Sequence, residues 1–138
     1  MRVKVLILFL FFGFGLFTSC SSNDEIDQEN TIDGTWNLKT VYGGLQGVNI
    51  DYNQGDVIWN FDLQTNTLIV ENYIMTTGPE NIYSGLQSGT YDIEITQTEE
   101  IQTLFIDGTK RGILILLDDN LKIDDGLEAD GFMTEFER

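Results

Sequence analysis

Residues able to do chemistry are few in kind in this chain and uneven in number. Of its 138 residues, 23 are aspartate or glutamate, 7 are lysine or arginine, one is cysteine and none is histidine. Catalysis by carboxylates needs two of them facing one another across a site, with burial driving their pKa values apart. Where strand facing can be read, Asp62, Glu71, Asp92, Glu94, Glu135 and Glu137 all fall opposite the apolar side chains, away from any interior. Nucleophilic catalysis lacks its usual base, since there is no histidine to activate Cys20 or a hydroxyl. Zinc lacks its ligands for the same reason. Acids and amides crowd one stretch at Asp118, Asp119, Asn120, Asp124, Asp125, Glu128 and Asp130. The alternation that an EF-hand calcium loop requires nevertheless fails at Lys122. Asp125-Gly126 and Asp130-Gly131 read as turns. No catalytic residue, metal ligand or cofactor is therefore expected, and the chain reads as a non-enzyme.

Two features keep a chemical role. Cys20 is a lone thiol behind an apolar run, Val5 to Phe17, and a basic start, Arg2 and Lys4. Lys110-Arg111 is the one adjacent basic pair outside that leader, and such a pair can receive the carboxylate of a fatty acid or another anionic ligand.

The elements around Cys20 are those of an export signal. The apolar run is too short to span a bilayer, and small Thr18-Ser19 precede the cysteine. Residues 1–20 resemble the signal peptide and lipobox of bacterial lipoproteins, with Phe17 standing where leucine is commonest. The resemblance implies that residues 1–19 are removed and that Cys20 is lipidated with palmitate-type chains. It also implies that the protein is held in the cell envelope as an outer-membrane lipoprotein. Each buried methylene contributes ~0.8 kcal/mol, so several acyl chains anchor essentially permanently. Residues 20–30, CSSNDEIDQEN, then read as the lipidated cysteine and an acidic flexible tether. Removing the leader takes Arg2 and Lys4 and no acid, which leaves 5 basic residues against 23 acids, a net charge of −18. That balance repels nucleic acid and anionic headgroups, so no nucleic-acid partner is expected.

Residues 31–138 form one domain in which the apolar period is two. Trp36, Leu38 and Tyr42 share a face of the first strand. Val57, Trp59, Phe61 and Leu63 share one in the second, and Leu68 with Val70 in the third. Tyr91, Ile93 and Ile95 alternate with Asp92 and Glu94. Ile101–Ile106 and Ile113–Leu117 are apolar runs of ambiguous facing, and Leu121 with Ile123, then Phe132 with Phe136, complete the set. Such alternation marks half-buried strands. Eight strands with no helix between them predict an all-β fold, an antiparallel eight-stranded up-and-down barrel.

The connections alternate as well. Those at Gln64–Asn66, Gln97–Glu100 and Asp118–Asn120 read as tight. Gly43–Asp56 and Tyr73–Gly89 are long, Asp125–Gly131 is longer than the tight set, and Asp107–Gly112 is intermediate. In a meander alternate loops share an end, so one end is closed and the other is a mouth where a ligand enters. The inward side chains Trp59, Phe61, Tyr91, Ile93 and Phe132 are expected to line the space. Tyr52, Tyr83, Lys110 and Arg111 are expected at its mouth.

Gly34-Thr35-Trp36, at the head of the first strand, resembles the Gly-x-Trp motif of lipocalins. Arg138 resembles the arginine that the family places against that tryptophan. The resemblance implies a small lipocalin-like barrel with Gly34, Trp36 and Arg138 as its structural motif. Function follows as non-catalytic binding of a small, mostly apolar ligand by a protein joined to a membrane through its lipid anchor. The alternative is a structural or protein-contacting surface lipoprotein whose barrel is filled by its own side chains and whose long loops meet a protein partner.

Overall fold

A computed structural model describes residues 31–138. The signal at residues 1–19, Cys20 and the tether up to residue 30 lie outside the described residues. The fold is a closed, antiparallel, eight-stranded up-and-down barrel. Its staves are β1 (Gly34–Gly43), β3 (Val57–Asp62), β4 (Thr67–Asn72), β5 (Gly89–Thr98), β6 (Ile101–Ile106), β7 (Thr109–Leu117), β8 (Asn120–Asp124) and β9 (Phe132–Glu137). Each pairs with its neighbour, and β1 closes on β9 from Asn37↔Glu137 to Gly43↔Phe132.

Two elements beyond the eight expected strands sit in the long loops. β2 (Val48–Asp51) folds back on the upper half of β1, and α1 (Pro79–Tyr83) is a single helical turn between β4 and β5. Along its other side, β1 therefore pairs with β3 through Gly34–Asn37 and with β2 through Thr40–Gly43.

The inward faces build one core. Trp36, Phe61, Phe136, Leu68, Leu104, Ile106 and Leu121 are essentially inaccessible to water. The ambiguous runs resolve with Leu104, Ile106 and Leu114 buried in the core. Trp59 lies against Phe136, ring centroids 4.9 Å apart, and against Phe61 at 6.0 Å, both tilted. Aromatic pairs of this geometry add about 0.5–1.5 kcal/mol beyond area burial.

The first strand departs from simple alternation. The β1–β9 register slips between Leu38 and Thr40, so Lys39 is an extra residue. A one-residue bulge reverses the facing of everything beyond it. Val41 is consequently buried in the core. Tyr42, expected beside Trp36 and Leu38, instead donates its hydroxyl to Glu135 Oε1 at 3.0 Å.

The turns are tight at the closed end. Asp62 Oδ1 accepts the backbone N–H groups of Gln64 and Thr65 at 2.9 and 3.0 Å and shapes the β3–β4 connection. At the mouth one connection is shorter than the intermediate length expected. Asp107 and Gly108, with φ of 49° and 72°, make a two-residue turn of the primed kind that an Asp-Gly pair favours. β7 accordingly begins at Thr109, and Lys110 and Arg111 lie on a strand rather than in a loop.

Candidate functional site

The closed end is sealed from below. The Trp36 indole Nε1–H donates to the Ile32 carbonyl at 2.7 Å, and Ile32 itself is buried. The Arg138 guanidinium lies 4.0 Å from the centroid of the Trp36 ring and donates to the Thr31 carbonyl. Gly34 precedes this plug, with φ of 100° and open space where a Cβ would stand.

The open end holds the candidate site, a cavity of about 120 Å3. Trp59, Ile123 and Phe136 form its floor from the strands, Phe132 and Thr134 its side from β9, and Tyr83 to Leu86 its lid from the loop after α1. Arg111 and Asp125 complete the lining. Tyr83 packs on Phe132 with centroids 5.5 Å apart.

The lid is held by one amide at the end of β4. Asn72 Nδ2 donates to Ser84 Oγ at 2.9 Å and to the Leu86 carbonyl at 3.0 Å, while Asn72 Oδ1 accepts the Ile74 N–H at 3.1 Å. Ser84, buried, donates its own hydroxyl to the Asn81 carbonyl at 2.9 Å. Tyr52 packs from the neighbouring loop and donates to the Glu80 carbonyl at 2.9 Å. Burial, with Glu80 adding to it, pushes the Tyr52 hydroxyl up to about 12, so it remains a donor across the physiological range.

Arg111 reaches the cavity through a second bulge. Leu104 pairs with Gly112 and Phe105 with Lys110, which leaves Arg111 as the extra residue. Gly112 has φ of +146°, and a Cβ there would sit 2.5 Å from the Asp124 carbonyl oxygen, so β8 approaches as only glycine allows. Among the described residues the ion pairs are Lys39–Glu137 and Lys122–Glu135, and Arg111 belongs to neither. Its Nε and the indole Nε1 of Trp59 are both buried without a hydrogen-bond partner. The residues that carry these two orphan donors both line the cavity.

The structure thus brings Trp59, Phe132, Tyr83 and Arg111 together. Phe61 and Ile93 are spent in the core below, and Tyr91 packs against that core with its hydroxyl donated to the Gln87 carbonyl at 2.8 Å. Lys110 is exposed opposite Phe105 and does not line the cavity. Sequence reasoning missed Ser84, Gly85, Ile123, Asp125, Thr134 and Phe136 as lining. Phe136 shares the inward parity of Phe132, and Ile123 that of Leu121, so pattern alone could have placed both there.

The apolar loop residues divide. Tyr52, Ile74, Tyr83 and Leu86 pack down on the core, whereas Leu45, Met75 and Ile82 stay 86%, 93% and 69% exposed around the rim. The acidic stretch serves turns: Asp124 Oδ1 accepts the N–H groups of Gly126 and Leu127 at 2.9 and 2.8 Å, and Asp118 and Asp130 take positive φ. Comparison of the chain with protein-family models, with curated proteins and with solved structures returns no match to any of them.

Proposed function

We propose that this protein is an envelope lipoprotein, anchored through Cys20, whose barrel binds a small and mostly apolar ligand at its mouth without catalysis. The observation that carries the binding reading is the aromatic-walled cavity of about 120 Å3 beneath a hydrogen-bonded lid. Pockets for drug-sized ligands run to about 300–1,000 Å3, and a dry cavity of about 150 Å3 takes benzene. The ligand is therefore of a few heavy atoms, because Phe61, Trp59 and Phe136 already occupy the depth that a long acyl chain would need. The same filled lumen favours a second reading, a structural barrel whose exposed rim at Leu45, Met75 and Ile82 meets a partner protein.

Titrating the full chain in zwitterionic nanodiscs with a graded series of acids and alcohols separates the two. Trp59 lines the cavity and reports entry through its emission. Saturable change with four-carbon probes and none with sixteen-carbon probes is expected. No saturable response from any probe would leave the filled-barrel reading standing.

A further inference from the structure

We infer that the ligand of this pocket is a small organic acid, its carboxylate received by Arg111 Nε–H and Trp59 Nε1–H. The inference rests on the pocket reading above and adds the chemical class. Buried donors are almost always paired, so two orphans on residues that line one cavity point to an acceptor reached by a small shift of those side chains. Both orphans are donors, and one belongs to a guanidinium. A planar carboxylate accepts two N–H groups on two oxygens, and charge-assisted bonds of this kind are the strong ones.

The charge pattern sharpens the point. Of the five basic residues in 31–138, Lys39 and Lys122 are paired with acids and Arg138 is committed to Trp36 and Thr31. Lys110 is exposed and does not line the cavity, which leaves Arg111 as the cation in its lining. The bulge and Gly112 give its backbone that position, against the strand's ordinary alternation. The rest of the lining is aromatic or aliphatic enough to take a short hydrocarbon body, through Phe132, Phe136 and Ile123. An inorganic anion would leave those walls unused. Asp125 also lines the cavity, and it makes no ion pair with Arg111. It disfavours a second negative charge and so favours a monoanion.

The test is calorimetric titration of the full chain in zwitterionic nanodiscs with butyrate, with butyramide as its neutral isostere and with inorganic phosphate as the anion lacking a hydrocarbon body. Butyrate is expected to bind best and phosphate not to compete with it. Arg111→Gln should weaken butyrate about tenfold or more while leaving butyramide unchanged, since a bond to a charged group is lost. Trp59→Phe, which keeps the ring and removes the donor, should weaken butyrate by a smaller factor, and Asp125→Asn should tighten it. Thermal unfolding of each variant checks that the barrel is intact, and Trp59→Phe carries the test if Arg111→Gln does not fold. Equal binding of butyrate and butyramide, insensitive to both substitutions, would overturn the acid class while leaving the pocket reading in place. It would assign the two donors to water. Displacement of butyrate by phosphate at equal concentration would overturn the organic acid. Failure of all three probes would overturn the acid class, and the pocket reading falls with it only where the alcohol series gives no saturable response either.

Discussion

Replacing Glu135 with Gln tests the outer face of the seam. Glu135 Oε1 accepts Lys122 Nζ at 2.5 Å and the Tyr42 hydroxyl at 3.0 Å, tying β8 and β1 together across β9. Burial pushes the Glu135 carboxyl up, but the hydrogen bonds from Lys122 and Tyr42 and the charge of Lys122 outweigh it and hold it below its usual value. Lys122 is raised, chiefly by its bond to Glu135. A hydrogen bond to a charged group contributes about 1.5–3 kcal/mol, and an exposed ion pair nearer 0–1 kcal/mol. The Lys122 and Glu135 side chains are 34% and 19% exposed, so the solvent-screened end of these ranges applies. The variant should lose about 1–2 kcal/mol at neutral pH, or roughly 5–10 °C in melting temperature for a domain of this size.

The pH profile distinguishes charge from packing. A carboxyl whose folded pKa is depressed contributes stability that is present above its unfolded value near 4.5 and is lost as pH falls through the lower folded value. A lysine raised above 10.5 contributes below that value and loses it as pH rises through the folded one. Melting curves by circular dichroism should therefore show a constant gap between parent and variant from about pH 6 to 9 that closes toward pH 2–3. A gap that persists unchanged at pH 2, or no gap at pH 7, would refute the electrostatic account.

Arg138→Ala should lower stability by about 0.5–2 kcal/mol and shift tryptophan emission, because the cation lies over the Trp36 ring. An unmoved spectrum and melting point would mean that the stacking is incidental. Gly112→Ala should be strongly destabilising, at ~3 kcal/mol or more, since its Cβ meets the Asp124 carbonyl and the backbone is strained for any other residue; a melt like the parent's would show that the bulge relaxes freely. Cys20→Ala should move the protein from the membrane to the soluble fraction of fractionated cells, and membrane retention equal to the parent's would rule out the anchor at that residue.

Much of the barrel was legible because each half-buried strand carries its facing in a period of two. Val57, Trp59 and Phe61 needed no tertiary information to be placed inward. The failures came where a single inserted residue breaks the period. Lys39 in β1 and Arg111 in β7 are bulges, and a bulge leaves no trace in hydropathy. Gly112 within a strand was the available signal for the second. Asp107-Gly108 was readable as a two-residue hairpin, but the polar Thr109-Lys110-Arg111 after it hid the strand's start. The pocket was legible only in part. Trp59 and Phe132 follow from parity, whereas the lid depends on Asn72 reaching Ser84 and Leu86, contacts that no local pattern encodes.

The seam also sets an order in time. Asn37 pairs with Glu137 and Gly43 with Phe132, so the barrel cannot close until Phe132–Glu137 have been made. Such pairings, distant along the chain, slow folding, because loop entropy is lost before contacts return it. A chain emerging from its N-terminus can form the hairpins β3–β4, β5–β6 and β7–β8 early, yet β1 and β8 each present a bare edge until Phe132–Glu137 arrive. Bare edges pair with other chains. The final strand is thus the step that closes an association-prone ribbon into a barrel, with β2 left as a short edge, and a chain cut short before Phe132 would aggregate rather than fold.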